Sequence, residues 1–237
     1  MAARKPRRKR EPLTMRGIWL LMAVISAGLM AGAWRGVLRV DEVFGFITGA
    51  VCVLLVVRQN IWNFPVGIAN NVFFILLFVR ARLYGDMALQ GVYIALALHG
   101  WHQWLYGGQA RTALRVGRAS LREGLALGAG GIAATAGMRV YFIRLGDAAP
   151  FLDALTTVLS LVAQYLLNRK RVENWYVWIT ADVLYIGIYL ARALCLTAAL
   201  YLVFIGMCLM GLEAWKRALP SAEGTEPAAR AQQEVKA

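Results

Sequence analysis

Long apolar runs separated by short polar breaks organise this chain. Eight runs can be drawn, at 17–34, 41–57, 61–79, 83–105, 123–143, 148–167, 174–191 and 193–214. Each approaches the roughly 20 residues a helix needs to cross about 30 Å of hydrocarbon. None shows the period-two alternation of barrel strands, and only helices or closed barrels satisfy their backbones in lipid. The pattern predicts an all-α integral membrane protein of about eight transmembrane helices.

The runs also repeat. "GWHQW" at 100–104 and "GLEAW" at 211–215 both read G-x-x-x-W, 111 residues apart, and "RQNIW" at 58–62 matches "RVENW" at 171–175 at an offset of 113. Such self-similarity predicts two three-helix repeats, 41–106 and 148–217, around a loop and connecting helix at 107–147. An extra helix at 17–40 precedes them, with a basic cytoplasmic tail at 1–16 and a polar C-terminal tail at 218–237. Four helices separate equivalent positions, so the repeats are parallel, related by an axis along the membrane normal as in SWEET-like bundles. The connector holds Gly124, Gly128, Gly130, Gly131 and Gly137. Small residues at this spacing suit close helix packing, including packing between subunits. No phosphate-binding G-x-x-x-x-G-K-[ST] occurs there.

Composition agrees with lipid as the solvent: 59% of the 237 residues are hydrophobic and 16% charged, against about a quarter charged in soluble domains. The net charge of +13 first suggests nucleic acid, until the charges are located. Most Lys and Arg fall in the N-terminal tail, in 111–122, in 169–171 and after 215, the segments that share one side if both termini are cytoplasmic. That is positive-inside asymmetry and implies no nucleic-acid partner. The first run is read as a retained helix, being long for a leader h-region. Cys52, Cys195 and Cys208 are isolated within runs and imply neither a disulfide nor a metal.

Polar side chains inside the runs are the candidates for chemistry, because in lipid they face a bundle interior or a water-filled cavity. The first repeat supplies Asn63, Asn70, Asn71, Asp86 and Gln90; the second supplies Gln164, Asn174 and Asp182. Rings accompany them, including Trp62, Tyr84, Tyr93, Trp101, Trp104, Trp175, Trp178, Tyr185 and Tyr201. Asn63 and Asn70 share a helix face, as do Asp86 and Gln90, and Trp175, Trp178 and Asp182. Stacked rings suit a flat, electron-poor or cationic ring, while amides and carboxylates suit sugar hydroxyls. The chemistry points to an aromatic-cation nucleoside. Pro65 is expected to open its helix beside the cavity. Trp215, at a run end, reads as an interfacial anchor, and Trp101 and Trp104 as anchor or site.

An enzyme is disfavoured. His99 and His102 lie at i, i+3, but a metal site needs three or four ligands and the chain has no other histidine. No cofactor is implied.

"NIWNFPVGIANNVFFILLF", "LYGDMALQGVYIALALHGWHQW" and "SLVAQYLLNRKRVENWYVWITADV" resemble the PnuC family of bacterial nicotinamide riboside transporters, over about residues 40–217. The resemblance implies a 3+1+3 SWEET-like fold in the inner membrane, often trimeric, with substrate near the midplane between the repeats. It implies uptake by facilitated diffusion, made directional by cytosolic phosphorylation of the riboside. Relatives carrying thiamine or riboflavin keep the vitamin open, and a non-transporting scaffold is the reading from another class. The expected substrate site comprises Trp62, Asn63, Asn70, Tyr84, Asp86, Gln90, Gln164, Asn174, Trp175, Trp178 and Asp182.

Overall fold

A computed structural model describes residues 15–36, 40–82, 84–191 and 195–220. It has eight α-helices among them: α1 (Met15–Trp34), α2 (Val40–Val57), α3 (Asn63–Ala81), α4 (Tyr84–Tyr106), α5 (Leu121–Arg144), α6 (Pro150–Asn168), α7 (Asn174–Ala191) and α8 (Cys195–Arg217). They follow the apolar runs to within a few residues, because the runs end where the backbone must turn through water. Residues 63–80, 121–144, 150–168 and 197–217 are long and apolar enough to cross a membrane; 22–34 and 43–57 are shorter apolar stretches. The chain divides into two units at Thr48/Gly49. The first holds α1 and the start of α2; everything below concerns the second.

Within that unit α3 packs on α4, α7 on α8, α5 on α6, and α6 on α4 and α7. Local chemistry sets the helix starts. Ser120 caps α5 by accepting the Glu123 N–H at 3.1 Å, and Pro150 opens α6 in the first turn, where its missing N–H costs no bond. Pro65 is the third residue of α3. It too sits where N–H groups lack intrahelical partners, so it leaves the helix closed and the expected opening does not occur.

The repeat is visible in hydrogen bonds, and its register is 111 throughout. Asn63 Nδ2 donates to Asn60 O at 2.7 Å; Asn174 Nδ2 donates to Arg171 O at 2.6 Å. Trp104 Nε1 donates to Leu167 O and Trp215 Nε1 to Val56 O, both at 3.1 Å. Each indole thus reaches a carbonyl of the other repeat, and the two acceptors are themselves equivalent. The offset of 113 read from "RQNIW" is corrected: Phe64, not Trp62, is the counterpart of Trp175. Phe64 meets Trp104 edge-on at 5.1 Å and 85°, and Trp175 meets Trp215 at 5.4 Å and 86°.

Two glycines make this possible. A Cβ at Gly211 would stand 2.4 Å from the Trp175 ring, and one at Gly100 would stand 2.2 Å from Asn168 Oδ1. The four rings fill one continuous core with Val56, Leu167 and Val172. Trp215 is fully buried and Trp104 nearly so, which replaces the anchor expectation for both with a structural role. Trp215→Phe keeps the ring and deletes the donor, leaving Val56 O one bond short. The expected cost is about 1–2 kcal/mol, seen as a melting temperature roughly 2–8 °C lower.

Candidate functional site

Along α7, Trp175, Trp178, Asp182, Tyr185 and Tyr189 fall at spacings of 3, 4, 3 and 4 residues and line one face. On α8, Tyr201, Phe204, Cys208, Gly211 and Trp215 do the same. The helices run antiparallel, so the stripes meet as a ladder. Trp175 against Gly211 and Trp215 closes one end. Midway, the Cys208 Sγ–H donates to Asp182 Oδ2 at 3.7 Å. Beyond it Tyr201 lies 5.1 Å from Tyr185 and 5.2 Å from Tyr189, with ring planes tilted 39° and 34°. Tyr185 and Tyr189 stack at 6.2 Å and 25°.

Polar groups from α4 and α6 complete the interior. Tyr93 on α4 and Tyr185 on α7 both approach Ser160 on α6, and Tyr185 also approaches Thr156. Gln164 Nε2 donates to Asn168 Oδ1 at 3.0 Å, and Asn168 Nδ2 donates to Leu96 O at 2.8 Å. Asn168 is buried and ties α6 to α4 at the height of Gly100. A buried amide bonded on both sides fixes helix register, and its removal would strand a carbonyl.

The expected site residues separate into groups. Asp182 is buried midway along α7, with Trp178 half-buried one turn before it and Gln164 half-buried on α6. Gln90 and Asn70 are half-buried on α4 and α3. Asn63 and Asn174 donate through Nδ2 to carbonyls at their helix starts, and Trp175 packs in the core. Asn174 Oδ1 and Trp175 Nε1 have no hydrogen-bond partner among the described residues. Trp62, just ahead of α3, is 64% exposed. Tyr84 and Asp86 open α4, and their side chains lie outside the described residues.

The 111 register also shows what sequence reading missed. Asp182 corresponds to Asn71, the neighbour of Asn70, and Tyr201 corresponds to Gln90. The stacked Phe74–Phe78 pair, 5.8 Å and 28° apart, is the counterpart of Tyr185–Tyr189. Tyr189, Thr156, Ser160 and Asn168 join Asn71 in the interior set. Applying the G-x-x-x-W offset to every span would have aligned Asn71 with Asp182 and Phe78 with Tyr189 from the sequence. His99 and His102 are exposed on α4, and no metal-holding cluster exists among the described residues.

Comparison with known proteins places this arrangement. The family model described as "Nicotinamide mononucleotide transporter" matches residues 39–217, spanning both repeats and the connector. The chain belongs to this family. Its members are membrane transporters, a role that a polar interior among apolar helices suits. The nicotinamide riboside transporter PnuC of Escherichia coli K12 is 27% identical over 201 residues, covering 73% of this chain and 84% of the relative. The riboflavin/roseoflavin transporter RibM of Streptomyces davaonensis is 26% identical over 182 residues, covering 74% and 84%. The crystal structure of the vitamin B3 transporter PnuC superposes with a TM-score of 0.67 at 23% identity, covering 88% of this chain and 93% of that one. The fold is that of the family's transporters, an all-α multi-pass membrane protein.

Proposed function

We propose that the protein carries nicotinamide riboside across the bacterial inner membrane by facilitated diffusion, with cytosolic phosphorylation trapping the product. The observation that carries this reading is the charge of the interior. A carboxylate, Asp182, sits midway along α7, and α6, α7 and α8 contain no Lys or Arg before the last turn of α8. A cationic nicotinamide ring gains from such a carboxylate, whereas the phosphate of a mononucleotide meets repulsion and no cationic clamp. That favours the riboside over the mononucleotide of the family's description.

In this reading Asp182 neutralises the ring charge and Trp178, Tyr185, Tyr189 and Tyr201 offer ring faces. Gln164, Gln90, Asn70 and Asn71 serve the ribose hydroxyls, with Tyr84 and Asp86 as further candidates at the start of α4. The repeats rock against each other to expose this interior to each side in turn. Both termini are cytoplasmic, supported by the clustering of Lys and Arg. The open, small-residue face of α5 supports a homo-oligomer, with the trimer implied by the family resemblance. The second reading, a riboflavin carrier, is favoured by the similarity to RibM.

Calorimetry on purified protein with nicotinamide riboside, its mononucleotide, riboflavin and thiamine separates these readings. The riboside should bind at least about tenfold more tightly than each of the others, a difference of about 1.4 kcal/mol. Tighter binding of the mononucleotide, riboflavin or thiamine would sink the assignment.

A further inference from the structure

The α2–α3 and α6–α7 turns are two copies of one device. Each preceding helix ends on a left-handed residue, Gln59 (φ 53°) and Lys170 (φ 49°). Their N–H groups return to Val56 O and Leu167 O at 2.9 Å, and the next N–H groups return to Leu55 O and Leu166 O at 2.8 Å. This is the Schellman closure, usually made by glycine because a Cβ is strained there. Val56 O and Leu167 O are also the carbonyls that accept the indoles of the opposite repeat. Each turn is therefore bonded to the other repeat as well as to itself.

The two left-handed residues also touch one another. Lys170 Nζ lies 3.5 Å from Gln59 Oε1 and 4.4 Å from the centroid of the Trp104 ring. Lys170 is only 7% exposed, and burial holds its ammonium below the ordinary lysine range. Residues related by the repeat can meet each other only near the axis that relates the repeats. In the alternating-access reading a path between the repeats runs along that same axis, which puts this contact across one of its mouths.

We infer that Lys170, seated on Trp104 and held by Gln59, is the latch of one mouth of the transport path and must leave its seat for that mouth to open. The inference rests on the alternating-access reading above, in which each mouth is shut in turn. Lysine suits the task chemically. Its ammonium loses hydration when seated and regains it when released, while the ring face and the amide oxygen compensate it in the shut state. Losses and gains of similar size leave the two positions close in free energy, as a gate requires. Glycine at either turn would relieve the backbone but provide no latch.

Amide hydrogen exchange on the purified full chain, without substrate, tests the inference. Lys170→Met keeps length and removes the charge; Gln59→Leu removes the acceptor from the opposite repeat. Unlatching by either should raise exchange at least about threefold in both turns, 55–60 and 166–171, with the centres of α3 and α7 unchanged. Lys170→Arg, which keeps a cation over the ring, should fall between Lys170→Met and the unaltered protein. Exchange that rises only in the mutated turn, or in neither, would overturn the latch and leave Lys170 a local cap. If Lys170→Met fails to fold, Gln59→Leu alone decides by its effect on 166–171. Because no substrate is present, the outcome is independent of whether nicotinamide riboside is the cargo.

Discussion

Asp182→Asn is expected to weaken nicotinamide riboside binding about 30-fold while leaving its uncharged reduced analogue within about threefold. A unit charge about 5 Å from a carboxylate gains about 3 kcal/mol at an effective dielectric near 20, and partial desolvation leaves about 2 kcal/mol. At 1.4 kcal/mol per decade that is roughly 30-fold. Asparagine keeps the volume and an oxygen that can face the Cys208 thiol, which contacts Asp182 at 3.7 Å, so the packing of α7 on α8 is retained. The comparison of oxidised with reduced riboside isolates the charge. Equal losses for the two would show that Asp182 serves the ribose or the α7–α8 contact instead, and the charge argument would fail.

Gly211→Ala is expected to destabilise the protein by about 2–3 kcal/mol and lower its melting temperature by roughly 5–10 °C. The added methyl would stand 2.4 Å from two carbons of the Trp175 ring. That ring is buried against Trp215, whose indole is held by Val56 O, so nothing nearby moves cheaply. Alanine's better helix propensity returns about 1 kcal/mol, included in the estimate. Gly187→Ala and Gly206→Ala are the controls: nothing lies within 4 Å of a Cβ at either, and both should match or slightly exceed the unaltered protein. A Gly211→Ala melting point within a degree of the original would mean that the cross-repeat core yields to the added methyl instead of holding its rings in place.

The polar breaks in "NIWNFPVGIANN" and "VENWYVWITADV" show how far sequence carried. Asn63 and Asn174 were legible as polar residues at helix starts, but not as donors to the carbonyls three residues back. Trp62 and Trp175 looked alike as rings beside those asparagines. One is exposed and the other buried, since they lie two positions apart in the repeat register and two positions turn a helical side chain through about 200°. A two-residue error in aligning the repeats was enough to set Trp62, rather than Phe64, opposite Trp175.

By itself, the sequence determined the helices, their lengths and their repetition. Hydrocarbon leaves a backbone few choices, and apolar runs of fixed length express them directly. It also determined the class of chemistry, because a carboxylate and amides inside such runs are too costly to be incidental. Only the tertiary structure decided which tryptophans are joints and which line the interior, that Asn168 binds α6 to α4, and that Lys170 reaches Gln59. Those outcomes depend on which faces of distant helices meet, at separations of 63 residues for Trp104 and Leu167, 72 for Asn168 and Leu96, 111 for Lys170 and Gln59, and 159 for Trp215 and Val56. Local pattern cannot supply that information, since a helix shows the same period whichever neighbour it packs against.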